Sequence, residues 1–468
     1  GLVLLQSTAA ANPMEDSSLG GAVFTGPTQG HSSAFLVNPA ALGLTGRGWH
    51  LHLGGSGRLN SLWIDRQRIA ADLGLEPGES VATHTLSPGG ILAWYSSFND
   101  NTAHFGISVF TPNLERFPGG EEAIGYHSRG GQLVQGMLTL AGSLRFGRLI
   151  VGLGFSLGYS SLRLKFFRDS ALDGGSDSLT GTGSNCGGSE CGHENPDARE
   201  RYDVQVSSAS ELRELFALKN ISASFGGVYE FSKNRGIIGF GYVALPGAFG
   251  TLSLSGDAYV TASPRDGSET SKARAEIGYR MAQMIYLGYR KPVLTAFDVV
   301  TDLRWQDLSR HNQFDIRLFA GDLSPDTPEW MPRHRGMHDV WRLSAGLESN
   351  DREQYRFGAR LRLESSSVAD NRITPIQVGG NSVTLATGTE LRLADQWVLN
   401  LGYELGWFPS TTVTNSAFDP RTQVDCVDSG YDFDACAAAR SGRALPTAAA
   451  SYQRLQHGLV FSLRYDSL

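Results

Sequence analysis

Long stretches of this chain alternate apolar and polar residues with a period of two, the pattern of strands that hide one face. Between Tyr355 and Glu364, Tyr355, Phe357, Ala359, Leu361 and Leu363 fall on one side, while Arg356, Gly358, Arg360, Arg362 and Glu364 fall on the other. Trp397, Leu399, Leu401, Tyr403, Leu405 and Trp407 alternate with Val398, Asn400, Gly402, Glu404 and Gly406. Val151–Tyr159 alternates with Gly152, Gly154, Ser156 and Gly158, and Phe297, Val299, Leu303 and Trp305 alternate with Asp298, Asp302, Arg304 and Gln306. A final stripe holds Leu459, Phe461, Leu463 and Tyr465. A soluble sandwich also alternates, but it buries its aromatic residues in mid-strand. Here Trp397 and Trp407 stand at opposite ends of one stripe, as in the aromatic girdles at the two faces of a bilayer. These stretches exceed the ~5–6 residues of a typical soluble strand and reach the ~9–11 that cross a bilayer obliquely.

Composition narrows the choice. Glycine supplies 57 of 468 residues, well above the usual ~7%. No apolar run reaches the ~18 residues of a membrane helix, so a bundle of spanning helices is excluded. With 40 basic and 47 acidic residues, a net charge of −7, the chain is no general nucleic-acid binder. A transmembrane barrel fits, because it hides its apolar face in alternate residues.

Connections set the strand number. Short polar turns fall at Asn99–Thr102, Gly147–Arg148, Ser232–Arg235, Arg290–Pro292, Asn350–Glu353 and Ala394–Gln396. Long segments fall at 60–89, 113–132, 169–217, 256–270, 310–337, 365–381 and 409–453. Six short and seven long connections in alternation imply a 14-stranded antiparallel transmembrane β-barrel. In outer-membrane barrels the short turns are periplasmic, so both termini are expected there. A barrel this wide is not filled by its own side chains, and residues 12–48, rich in Gly, Ser and Pro before the first strand near Trp49, are expected to form an N-terminal hatch (plug) inside the lumen. The barrel itself is then 49–468.

Gly1–Ala11, a short apolar run ending in small residues, reads as the remnant of a secretory signal peptide cleaved after Ala11. Export suits the cysteines. Cys186 and Cys191 form one local pair and Cys426 and Cys436 another, and both pairs are expected to be disulfides of an oxidising compartment. Cys186-x4-Cys191 with His193 lacks the second half of a zinc site, and Pro332 and Gly336 argue against a helix carrying His334 and His338 to a metal. No metal is expected.

Two segments resemble a known family. Ser17-Ser18-Leu19-Gly20-Gly21-Ala22 and Ser32-Ser33-Ala34-Phe35-Leu36-Val37-Asn38-Pro39-Ala40-Ala41-Leu42 resemble the N-terminal hatch of the FadL/TodX family of outer-membrane transporters for long-chain fatty acids and hydrophobic compounds. Its most distinctive short mark is Asn38-Pro39-Ala40. Asp339–Leu347, Gln354–Ala359, Ser366-Ser367-Val368, Asn371-Arg372 and Thr384–Gly388 resemble the family's late strands and follow in the expected order. One departure is His31, where the family often has an acidic residue.

The resemblance implies passive transport with no enzyme activity and no cofactor. Hydrophobic small molecules would be captured outside the cell, pass the hatch and leave sideways through a gap in the barrel wall. Its surroundings would be outer-membrane lipid and lipopolysaccharide of a Gram-negative bacterium, with a monomer sufficient. Pro112 has no backbone N–H and cannot continue a ladder; Pro112 and Asn113 are expected to mark a wall kink, and with it the lateral opening. Ser210–Leu218 is expected to be a loop helix, capped by Ser208 or Ser210, with Leu212, Leu215 and Phe216 on one apolar face as an extracellular capture groove. Inward-facing Arg304, Arg342, Arg356, Arg360, Arg392 and Arg464 are expected to pair with Asp298, Asp302, Glu348, Glu364, Glu390 and Glu404. The rival readings are a general hydrophilic porin, with an open lumen, and a surface receptor or adhesin scaffold, with the long loops as its working part.

Overall fold

The computed structural model describes residues 22–66, 80–111, 114–119, 125–169, 199–231, 236–245, 251–311, 313–350, 354–416 and 448–467, apart from short gaps within these ranges. Twenty strand segments join in one antiparallel sheet. The first staves are β1 (Trp49–Asp65), β2 (Ser80–Phe98), β3 (Ala103–Thr111) continued by β4 (Leu114–Gly119), β5 (Arg129–Phe146) and β6 (Leu149–Asp169). Five split staves follow: β7 (Arg199–Ser207) with β8 (Ile221–Glu230), β9 (Ile237–Ala244) with β10 (Leu252–Thr261), β11 (Thr270–Tyr279) with β12 (Gln283–Leu294), β13 (Phe297–Gln306) with β14 (Gln313–Gly321), and β15 (Trp330–His334) with β16 (Val340–Ser349). The last four are β17 (Tyr355–Glu364), β18 (Ser382–Ala394), β19 (Trp397–Val413) and β20 (Ala450–Asp466). Six pairs of segments are halves of one stave, so twenty segments make fourteen staves. β20 pairs with β1 from His50↔Asp466 to Asp65↔Ser451 and closes the barrel.

The alternation read from the sequence is the alternation of faces. Tyr355, Phe357, Leu361 and Leu363 point out and are exposed, while Arg360, Arg362 and Glu364 point in and are buried. Trp49, Trp397 and Tyr465 cluster at the turn end, with ring centroids 4.9 and 5.0 Å apart for the pairs that Tyr465 makes. Trp63, Trp341 and Trp407 stand exposed further up the outer surface. The turn at 99–102 has three successive left-handed residues, Asn99, Asp100 and Asn101, at φ 48°, 52° and 71°. Asn and Asp tolerate this region because their short polar side chains bond locally.

Four readings of the connections change. Arg290–Pro292 is not a turn: Arg290↔Val300, Lys291↔Val299 and Pro292↔Asp298 are paired, with a β-bulge before Leu294, and β12 runs to Leu294 before β13 begins at Phe297. Pro292 is accommodated next to that bulge, a place that tolerates proline. The segment 113–132 contains β4, and the segments 169–217 and 310–337 are not loops throughout, since β7, β14 and β15 lie inside them. They were concealed by an inversion of polarity. Along β6, inward Gly152, Gly154 and Ser156 oppose outward Val151, Leu153 and Phe155, but further on inward Leu162, Leu164 and Phe166 oppose outward Arg163 and Lys165. The lower stretch therefore faces lipid and the upper one faces water.

The inversion coincides with a seam. β8, β9, β12, β13 and β16 pair in one lower tier. Their upper halves, β7, β10, β11, β14 and β15, pair in a second tier. The inner face of the upper tier is a buried apolar cluster including Leu164, Phe166, Val204, Leu254, Ile277, Ile316, Leu318 and Met331.

Candidate functional site: the N-terminal segment and the apolar lumen

Residues 22–45 lie against the inner faces of staves on opposite sides of the barrel. Ala22 meets Gly402 of β19, Val23 meets Gly358 of β17, Pro27 meets Gly288 of β12, Phe35 meets Gly106 of β3 and Ala40 meets Gly152 of β6. The contacts are close enough to demand glycine. A Cβ at Gly226 would lie 1.9 Å from Asn38 Oδ1, one at Gly241 1.9 Å from the Val37 carbonyl oxygen, and one at Gly152 2.2 Å from the Ala40 nitrogen. The glycine excess of the sequence is thus partly a track of notches receiving this segment.

The segment folds as one helical turn, α1 (Ala34–Val37), and a 3-10 helix (Pro39–Leu44), both buried. Asn38-Pro39-Ala40 makes the joint. Asn38 Oδ1 accepts the Ala40 N–H at 3.1 Å, capping the 3-10 helix, and Asn38 Nδ2 donates to the carbonyls of Pro27 at 2.7 Å and Gly227 at 3.3 Å. Pro39 sits at the first helical position, where its fixed φ is favourable and its missing N–H costs nothing. Arg145 Nη2 donates to the Gly43 carbonyl at 2.7 Å.

One wall of the lumen is charged and ordered. Glu348, fully buried, accepts from Arg360 Nη2 at 2.7 Å, from Arg356, and from Gln29 Nε2 at 2.9 and 2.8 Å. Glu364 binds Arg304 and Arg342 at 2.6 Å each, Glu404 binds Arg362 at 2.6 Å, and Asp302 binds Arg360 at 2.8 Å. Arg464 and Arg356 lie 3.7 and 3.3 Å from Glu390, and Arg290 binds Asp298 at 2.7 Å. The expected inward network is therefore formed; Arg392 differs in standing exposed near the turn end of β18. The network also holds the segment: Arg362 donates to the Ala22 carbonyl and the Arg356 guanidinium stacks 4.2 Å over Phe24. A cavity of about 40 Å³ between Thr25–Pro27 and this wall is lined by Arg304, Arg342, Arg360 and Arg362.

His31, in place of the family's acidic residue, is buried edge-on to His52 with ring centroids 4.8 Å apart. Burial, reinforced by Arg464 and Arg356, pushes its pKa down to about 3, so it packs as a neutral ring.

The opposite wall is apolar. Phe35, Leu36, Val37, Ala40 and Leu42 of the segment join Ile91, Tyr95, Phe110, Met137, Ile150, Val243, Met284 and Tyr286 of the staves in one buried cluster. Outward stripes give no hint of this cluster or of the one in the upper tier. The sequence signal for the upper one is the inward set Leu162, Leu164, Phe166, Leu252 and Leu254.

Among the described residues the third stave falls into two pieces, β3 and β4. Pairing with β2 ends at Gly90↔Thr111, and pairing with β5 passes from Phe110↔Met137 to Leu114↔Val134, a slip of one residue. Among the described residues β4 pairs with β5 alone, and β2 above Gly90 pairs with β1 alone. That one-sided stretch of β2 contains Pro88, a residue suited to an unpaired edge. Pro112 and Asn113 themselves lie outside the described residues, as do Gly1–Ala11, Cys186, Cys191, Cys426 and Cys436. Lower on the same side, Phe105, Leu140, Leu144, Leu153, Phe155 and Phe225 line an outer-face groove of about 700 Å³ that includes Gly152 and Gly226. At those two glycines only backbone separates the groove from Ala40 and Asn38.

The 210–218 helix is shorter than read and differently placed. It is a single turn, α2 (Leu212–Leu215), within the break between β7 and β8 rather than in the long connection before β7. Its N-cap is Glu211, with no side-chain cap bond, while the Ser210 N–H and hydroxyl both donate to Glu214, at 2.7 and 2.9 Å. Leu215 is half-buried, and Phe216 and Leu218 are 61% and 87% exposed.

No family model matches the chain, and no curated protein matches it in sequence. Solved structures do match in fold. A FadL homologue of Pseudomonas aeruginosa superposes with a TM-score of 0.67 at 13% identity, covering 96% of each chain. The toluene transporter TodX of Pseudomonas putida gives 0.62 at 14% identity, over 97% of this chain and 99% of that one. The toluene transporter TbuX of Ralstonia pickettii gives 0.60 at 14% identity, over 97% and 98%. The resemblance first carried by Asn38-Pro39-Ala40 and the late strands thus extends to the whole architecture: this chain has the fold of the FadL/TodX channels.

Proposed function

We propose that the protein is an outer-membrane channel that passes hydrophobic small molecules, long-chain fatty acids or aromatic hydrocarbons among them, by passive diffusion without a catalytic step. The observation that carries this reading is the apolar interior: the inner face of the upper tier and the wall around Phe35–Leu42 are both buried and greasy. Water-soluble solutes have no reason to enter such a path. The fold neighbours named as a FadL homologue and as toluene transporters support the same class of cargo.

In this reading the upper tier stands on the cell surface, both termini are periplasmic, and a monomer works alone in lipid and lipopolysaccharide. Cargo is captured near the loop end, where Phe216 and its neighbours offer exposed apolar surface, and moves down the apolar wall to residues 22–45, which act as the hatch. It leaves sideways between the two pieces of the third stave, where Pro112 and Asn113 form the kink; the end of β2–β3 pairing at Gly90↔Thr111 supports that position. Disulfides Cys186–Cys191 and Cys426–Cys436 pin the long loops. A hydrophilic porin is disfavoured because residues 22–45 and the arginine–carboxylate wall occupy the lumen.

The test is expression in cells lacking their own fatty-acid transporter, supplied with labelled palmitate or toluene. Protein-dependent uptake is expected, and an Asn38→Ala/Pro39→Ala variant that assembles normally should change its rate. Uptake indistinguishable from that of empty cells for both compounds would refute the proposal.

A further inference from the structure

The two apolar clusters share the unbroken strands β5 and β6, with Leu133 and Leu162 in the upper one and Met137 and Ile150 in the lower, but on the side of the split staves no single strand carries both. Among the described residues one partly buried hydrophobic side chain outside the clusters packs against both: Met281. It lies in the three-residue link 280–282 between β11 and β12, on the seam, where backbone is not held by strand pairing. Above it the upper cluster includes Met331, and below it the lower cluster includes Met284 and Met137. Four of the chain's six methionines therefore line one side of the interior. Methionine is unbranched, with three rotatable bonds and a polarizable sulfur, and repacks around differently shaped neighbours more easily than leucine or phenylalanine. On the adjoining stave Arg304, paired across from Tyr286 of the lower cluster, is held with Arg342 by Glu364, so that side is closed by charge and a lipophile is left the methionine side.

We infer that Met281 is the gate between the outer apolar cluster and the hatch cluster, and that the room its side chain yields sets the cross-section of the molecules that pass. This rests on the transport reading above. A molecule packed among the upper-tier side chains reaches Phe35–Leu42 only when the Met281 side chain swings from the seam. A larger, rigid side chain there would close the passage without touching either cluster's own members. A smaller one would leave it open to wider molecules.

The test uses the full chain in liposomes, with uptake of labelled toluene, palmitate and pyrene measured for wild type, Met281→Leu, Met281→Ala and Met281→Trp. Each variant is checked for the heat-modifiable mobility of a folded barrel. Met281→Leu, which conserves volume, should leave all three rates within about twofold. Met281→Trp should slow all three by about tenfold, the scale of overpacking a filled site. Met281→Ala should raise pyrene entry relative to toluene, a change in selectivity that mere loosening of the fold would not produce. Unchanged rates in folded Met281→Trp, or an equal loss in all three variants, would overturn the gate. If wild type takes up none of the three compounds, the transport reading fails first and the gate falls with it.

Discussion

Gln29 Nε2 lies 2.9 and 2.8 Å from the two carboxylate oxygens of Glu348, so an amide of the N-terminal segment is bonded to β16 across 319 residues of chain. Glu348 is also the acceptor for Arg356 and Arg360. Its two functions separate by mutation. Gln29→Leu removes the bonds of this amide to two charged groups, Glu348 and Arg290, each worth about 1.5–3 kcal/mol, and should loosen the segment while the barrel persists. Glu348→Ala strands buried arginines and should cost about 3–5 kcal/mol of barrel stability. Urea unfolding in lipid vesicles checks the order; equal losses would show that the network does not depend on Glu348.

The glycine track predicts position-specific leaks. Gly226→Ala and Gly241→Ala each place a methyl 1.9 Å from the segment, nearer than any non-bonded contact allows, and should displace it and admit sucrose to liposomes. Gly136 has open space where its Cβ would stand, so Gly136→Ala should leave the barrier intact. Leakage in all three variants would mean that general strain, and not the segment, is responsible.

Asn38→Ala removes a helix cap worth about 1 kcal/mol and leaves the Pro27 carbonyl without its side-chain donor, a loss of about 1–3 kcal/mol if the group stays dry. Hydrogen exchange of residues 34–44 should accelerate by one to two orders of magnitude, with the exchange of β17–β20 unchanged. Uniform acceleration across the barrel would contradict a local role.

Acid should release the segment. His31 is held neutral with a pKa near 3 against 6.5 when exposed, so the unfolded or released form binds a proton that the docked form refuses. The stability of docking is therefore complete above pH 6.5 and falls by about 1.4 kcal/mol per unit as pH drops from 6.5 toward 3. Proteolysis of residues 22–45 should quicken between pH 7.5 and pH 5 in wild type and change less in His31→Asn. The same pH profile in both proteins would assign the effect elsewhere, for example to His52 in contact with it.

Much of the barrel was legible because lipid imposes one rule on every stave, apolar outside, and along the charged wall the inner face is small or charged. Strands such as Tyr355–Glu364 and Trp397–Val413 obey it, and the arginine–carboxylate wall follows from the same alternation. The reversal of that rule above the membrane was not legible in the same way. Leu162, Leu164 and Phe166 continue the inward parity of Gly152 and Gly154, but the outward stripe at that height turns to Ser161, Arg163 and Lys165 and has the look of a loop. Pro292 misled for a related reason: proline stops a ladder in mid-sheet but fits beside the bulge at Leu294. Asn38 was singled out by resemblance, and its bonds to Pro27, Gly227 and Ala40 supply the physical cause. Gln29 and Met281 carried no local signal, since their importance lies in contacts hundreds of residues away or between two tiers.

The central claim is that the interior conducts lipophiles and not water-soluble solutes. Entry of labelled palmitate and of labelled sucrose into the same liposomes, with and without the purified protein, tests it most directly. The account predicts protein-dependent palmitate entry with sucrose at the protein-free level. Sucrose entry without palmitate entry would contradict it and make the protein a hydrophilic pore.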